Sequence, residues 1–113
     1  MKKWMPLFLI FATILLMSFT LNKKKKVIFF GDSITQMGAE PGGYIRLMEA
    51  LIKSDNQSDA FELVGAGISG NKVTDLYMRL EKDVLSQQPD IVVIYIGIND
   101  IWHKRLAGTG TDY

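Results

Sequence analysis

Apolar and polar residues fall in blocks along this chain, and the blocks predict its elements. Val27-Ile28-Phe29-Phe30 is a short continuous apolar run, β-branched and aromatic, of the kind that forms a buried strand. It stops abruptly at Gly31-Asp32-Ser33. Gly31 permits a sharp turn, and Asp32 and Ser33 are good helix N-cap types, so a helix can begin just after them. Gln36 to Gly43 reads as a loop, because Gly38, Pro41, Gly42 and Gly43 break regular structure. From Tyr44 to Lys53 the apolar positions Tyr44, Ile45, Leu47, Met48, Leu51 and Ile52 are spaced for an amphipathic helix. Ser54 to Ala60 is a polar loop. Phe61-Glu62-Leu63-Val64 predicts a second strand, giving way to a glycine-rich turn from Gly65 to Asn71. Val73 to Ser86 predicts a second helix, with Val73, Leu76, Tyr77, Leu80, Val84 and Leu85 on one face and Pro89 as its stop. Ile91 to Ile96 is apolar throughout, which predicts a strand buried on both faces. It ends at Gly97-Ile98-Asn99-Asp100.

The order βαβαβ implies an α/β fold, a parallel sheet with right-handed crossovers. In such a sheet the three strand-end turns lie along one edge, where open α/β sheets place their ligands. Those turns carry Ser33, then Gly70 and Asn71, then Asn99 and Asp100. The residue types suit a serine nucleophile. A lone hydroxyl needs a base, commonly a histidine oriented by a carboxylate. It also needs donors aimed at the oxyanion that develops during attack. The backbone amides of Ser33 and Gly70 and the side chain of Asn99 are such donors. Gly-Asp-Ser alone is equally well an N-capped turn; three polar turns on one edge read as an assembled site.

Charge changes the picture at the N-terminus. Lys2 and Lys3 precede eighteen uncharged residues from Trp4 to Leu21, and Lys23 to Lys26 follow. A basic start and an apolar stretch predict a signal peptide or membrane anchor with a basic linker over residues 1–26, and a domain over 27–113. The expected location is therefore extracytoplasmic or membrane-anchored, with membrane association through residues 4–21. Six of the thirteen Lys and Arg lie in residues 1–26, leaving seven against twelve acids and a net charge of −5 for the remainder. That balance argues against nucleic-acid binding, which needs a basic face. There is no cysteine, so thiolate nucleophiles, disulfides and cysteine-held metals are excluded.

Gly31-Asp32-Ser33-Ile34-Thr35, Gly67-Ile68-Ser69-Gly70-Asn71 and Gly97-Ile98-Asn99-Asp100 resemble the first three sequence blocks of the SGNH hydrolases, the GDSL-type esterases and lipases. The resemblance runs from about Lys26 to the chain end. It implies a flavodoxin-like three-layer sheet, here its N-terminal half, and ester hydrolysis through an acyl-enzyme without a cofactor or metal. It also implies that Ser33 is the nucleophile and that Gly70 and Asn99 are oxyanion-hole donors. Asp32, Asn71, Asp100 and His103 are then candidates for the mouth of the site. The stretch from Gln36 to Tyr44 is similar to that of members acting on small and carbohydrate-linked esters. The family's fourth block, an Asp-x-x-His, supplies the base and its carboxylate; no such block follows the third within these 113 residues. The 113-residue chain alone is accordingly expected to be nearly inactive.

Two other patterns compete. Asp100-Ile101-Trp102-His103 fits Asp-x-x-His literally and holds the sole histidine, His103. It begins inside the third block, however, whereas a base has to reach the serine from the other side of the carbonyl. Gly65-Ala66-Gly67-Ile68-Ser69-Gly70 fits the dinucleotide fingerprint Gly-x-Gly-x-x-Gly. Asn71-Lys72 then follow instead of small apolar residues, and Asp90 precedes its strand rather than ending it. A third alternative to the hydrolase is a non-catalytic fragment or binding module whose last strand offers an open edge to a partner.

Overall fold

The computed structural model describes residues 23–108. The expected signal or anchor segment, up to Asn22, lies outside the described residues. Three parallel strands, β1 (Lys25–Gly31), β2 (Phe61–Gly67) and β3 (Ile91–Tyr95), form one sheet in the order β2-β1-β3. The helices are α1 (Ser33–Gly38), α2 (Tyr44–Ser54), α3 (Val73–Asp83) and α4 (Ile98–Ala107), with a 3-10 turn at Leu85–Gln87. The order β2-β1-β3 is the opening of the flavodoxin-like arrangement.

β1 is the central strand, and alternation along it sends side chains to two helical layers. Ile28 and Phe30 pack with Leu76 and Val84 on one face. Val27 and Phe29 pack with Ile45 on the other. The crossover from β1 to β2 therefore covers one face and that from β2 to β3 the other. Among the described residues no helix is long and apolar enough to cross a membrane.

The structure corrects several expectations. The first helix continues through Gly38, so Gln36 to Gly38 are helical rather than loop. Lys25 and Lys26 belong to β1 and not to a linker: the Lys26 amide donates to Asp90 Oδ2 at 2.7 Å, and the Asp90 amide donates to the Lys26 carbonyl at 2.9 Å. β2 extends to Gly67, because Gly65 and Gly67 pair in register with Phe29 and Gly31. α3 ends at Asp83 instead of Ser86. β3 stops at Tyr95, and its five residues are all exposed rather than buried on both faces. Among the described residues it is an edge strand.

Candidate active site

The carboxyl ends of the three strands meet at one edge, and each element there has a local cause. Asp32 is the N-cap of α1, its Oδ1 accepting from the Ile34 amide at 3.0 Å. This bond satisfies one of the orphan amides of a helix start and fixes the turn. Ser33 thus stands as the first residue of α1, half-buried at the end of β1, and its hydroxyl has no hydrogen-bond partner among the described residues. Asp32 itself is fully buried, and its Oδ2 has no partner there either. It caps α1 and lines the cavity at this edge from beneath.

The second strand end is pulled against α1. A Cβ on Gly67 would overlap the Gln36 amide nitrogen, and one on Gly65 would lie 2.6 Å from the Ala39 Cβ. These two glycines serve close helix–strand approach inside β2, which removes them from any phosphate-cradling turn and sets the dinucleotide pattern aside. Gln36 Oε1 accepts from the Ser69 amide at 2.7 Å, and the Ile68 amide donates to the Gly31 carbonyl at 3.1 Å. The turn that follows places Gly70 in the left-handed region, φ +79°.

Asn99 enters from the first turn of α4 and is buried, 8% exposed. Its Nδ2 donates to the Asn71 carbonyl at 2.9 Å. A carboxamide nitrogen carries two hydrogens, so this anchor leaves a second N–H for a ligand. The structure therefore brings Ser33, the Gly70 turn and Asn99 to one edge.

Asp100, also expected at the mouth, is buried. Its Oδ1 and Oδ2 lie 3.3 and 3.2 Å from the Val73 amide, which donates to them. An anion at the start of α3 is favoured by the helix dipole and joins α4 to α3. His103 is half-buried on α4, on a helix rather than in a loop, one turn beyond Asp100. Signals for this helix stand in the sequence: Asp100 in its first turn, Lys104 and Arg105 in its last, and Gly108 as a left-handed cap. Reading Gly97 to Asp100 only as a turn hid them.

A cavity of about 260 Å³ opens between Asp32 at the end of β1 and Tyr95, Gly97, Ile98 and Ile101 beside it. It lies at the point where the strand order reverses, the usual ligand position in such sheets. A larger cavity, about 390 Å³, lies at the opposite end of the strands among Lys24, Lys53 and Phe61, away from these groups. Among the described residues no cluster of three or more His, Asp and Glu could hold a metal ion.

Sequence reasoning missed Arg79. Its Nε donates to Asn71 Oδ1 at 2.7 Å, and its Nη2 donates to the Gly31 carbonyl at 2.9 Å. The only signal was an Arg–Asp pair at i, i+4 with Asp83, which ordinarily marks a solvated helix face.

Known proteins are similar to this chain in sequence and fold. The model of the GDSL-like lipase/acylhydrolase family matches residues 29–111. An acetylxylan esterase from Geobacillus stearothermophilus is 41% identical over 91 residues, covering 71% of this chain and 42% of the relative. The crystal structure of the acetyl xylan esterase AlAXEase is 61% identical, with a TM-score of 0.76, over 77% of this chain and 44% of that one. LAE5, an alpha/beta hydrolase from the metagenome of Lake Arreo in Spain, is 32% identical with a TM-score of 0.67, over 78% and 48%. The chain thus spans less than half the length of each of these relatives. With the serine turn, the Gly70 turn and Asn99 in family order on a shared sheet edge, the chain belongs to the GDSL-like lipase/acylhydrolase family.

Proposed function

We propose that this protein is a serine ester hydrolase acting on small, carbohydrate-linked esters, acetyl esters foremost, through an acyl-enzyme. One observation carries the reading: Asn99, anchored on the Asn71 carbonyl, keeps a free N–H beside the Gly70 turn, on the same edge as Ser33. Support for the substrate class comes from the acetylxylan esterases the chain resembles. In the Geobacillus enzyme, serine-to-alanine and aspartate-to-alanine variants are both described as catalytic mutants.

In this mechanism Ser33 Oγ attacks the ester carbonyl carbon and its proton passes to a histidine base. The oxyanion is held by the amides of Ser33 and Gly70 and by Asn99 Nδ2. Collapse expels the alcohol, which takes the proton; water then attacks the acyl-serine and releases the acid. We assign the base to a segment outside these residues, because His103 follows the third block on α4 and its i−3 neighbour Asp100 binds the start of α3. Lys2, Lys3 and the apolar run from Trp4 to Leu21 support action outside the cytoplasm or at a membrane, which cell fractionation tests.

Hydrolysis of p-nitrophenyl acetate tests the reaction, using the 113-residue chain and the same chain extended by the coding sequence that follows Tyr113. Extension is expected to raise turnover by about 10³-fold or more, and Ser33→Ala to remove that gain. Turnover that survives Ser33→Ala overturns the nucleophile. Brisk turnover by the 113-residue chain that vanishes in His103→Ala overturns the external base. No turnover in either form favours the non-catalytic reading, in which exposed β3 presents its edge to a partner.

A further inference from the structure

The three elements of the proposed oxyanion hole come from three strand ends, and parallel strands do not by themselves fix the turns beyond them. Something has to hold those turns in register. Arg79, on α3, reaches the underside of this edge with its side chain 13% exposed. Its five N–H groups all meet acceptors. Nε donates to Asn71 Oδ1 at 2.7 Å. Nη1 donates to the Ala66 carbonyl at 3.1 Å and to Asp83 Oδ2 at 2.9 Å. Nη2 donates to the carbonyls of Gly31 at 2.9 Å and Ala66 at 3.1 Å. The guanidinium also lies 4.4 Å from the centre of the Phe30 ring.

These acceptors are not scattered. Gly31 ends β1 two residues before Ser33. Ala66 and Asn71 flank the turn that contains Gly70. Asn71 in turn holds Asn99 through its carbonyl. One rigid, planar fork therefore reaches the β1 and β2 ends directly and the Asn99 amide through one intermediary. A lysine at this position would offer a point charge on a flexible stem and could not meet all these acceptors together. Asp83 balances the charge, so the cation sits in a partly buried place without being isolated.

We propose that Arg79 is the positioning residue of the oxyanion hole: its fork fixes the Gly67–Asn71 turn against the end of β1 and, through Asn71, orients the amide of Asn99. The proposal rests on the hydrolase reading for the purpose of the turn, and on the geometry alone for the clamp.

Solution NMR of the ¹⁵N-labelled chain tests it, with Arg79→Lys, Asn71→Ala and Asp83→Asn. In Arg79→Lys, exchange of the Ile68 and Asn71 amides rises about tenfold, while the β1 amides from Val27 to Phe30 stay within about twofold. The Asn99 side-chain NH₂ signals move toward those of a free carboxamide. Asn71→Ala removes only the Nε acceptor; it moves the Asn99 side-chain signals and spares Ile68. Asp83→Asn leaves all of them in place. Should Arg79→Lys fail to fold, Asn71→Ala decides. Unmoved Asn99 side-chain signals in Asn71→Ala overturn the proposal, as does a uniform rise in exchange through β1 and α3 in Arg79→Lys. No ester turnover by the extended chain, with these signals moving as stated, breaks the hydrolase reading and leaves the clamp; turnover by the extended chain with unmoved signals breaks the clamp.

Discussion

β1 and β3 are neighbours with nearly the same kind of sequence and opposite surroundings. Both are apolar β-strand runs, and they pair residue for residue: Ile28 with Val92, Phe29 with Val93, Phe30 with Ile94. Yet Phe30 is 1% exposed and Ile94 is 59% exposed. Their side chains point to the same face, so composition cannot account for the difference. β1 has a strand on each edge and helices over both faces; among the described residues β3 has one strand beside it. Burial is a property of position in the sheet, and a uniformly apolar run signals strand formation without stating which position it takes.

The largest effects should fall on the β1 side. Phe30→Ala should cost about 3–5 kcal/mol in chemical denaturation, and Ile94→Ala less than about 1 kcal/mol. Equal losses would mean that β3 is covered and would erase the contrast. The glycines at the end of β2 sharpen it next. Gly67→Ala forces a methyl into the α1 backbone and should cost about 2–3 kcal/mol. Gly70→Ala has open space around it, nothing within 4 Å, and carries only the strain of φ +79°. Its cost should be about 1 kcal/mol, read from the same unfolding curves. Asp100→Asn probes the brace between the third strand end and α3. It should cost about 1 kcal/mol and speed exchange of the Val73 amide, with no change at Ile28. Smallest of all, Arg46→Ala removes an ion pair to Glu49, 2.8 Å long with the two side chains 51% and 37% exposed, and a hydrogen bond to the Ala39 carbonyl. Solvent screens it, and the loss should stay below about 1 kcal/mol. A larger loss there would show that the surface of α2 contributes as the buried edge does.

Much of this was legible in the residues, for reasons tied to each. The strand runs at Val27 and Ile91 needed only local apolar patterning. The serine turn was legible because Gly31, Asp32 and Ser33 are residue types with strong turn and cap preferences. Arg79 was not legible, since a helical Arg with Asp83 four residues on has the same appearance on a solvated face. Gly65 and Gly67 misled in the other direction: glycine marks either a turn or a close approach, and only the packing of α1 on β2 separates the two. Asp32 and Asp100 were candidates for the site mouth, and both are buried; each accepts from an amide at a helix start, which makes burial tolerable. The helix over Ile98 to Ala107 had its capping signals in plain view and was concealed by the motif overlapping its first turn.

The sequence by itself determined the βαβαβ order, the three polar strand ends and the family they mark. Those follow from local rules, in which a few adjacent residues dictate a strand, a cap or a turn. The tertiary structure decided which strand is central, why β2 carries its glycines, and how Asn71 and Arg79 hold Asn99 and the Gly70 turn together. Gly31 and Arg79 are 48 residues apart and meet at 2.9 Å. Such a meeting depends on how the crossovers lay α3 against the sheet, and no local preference of either residue encodes it.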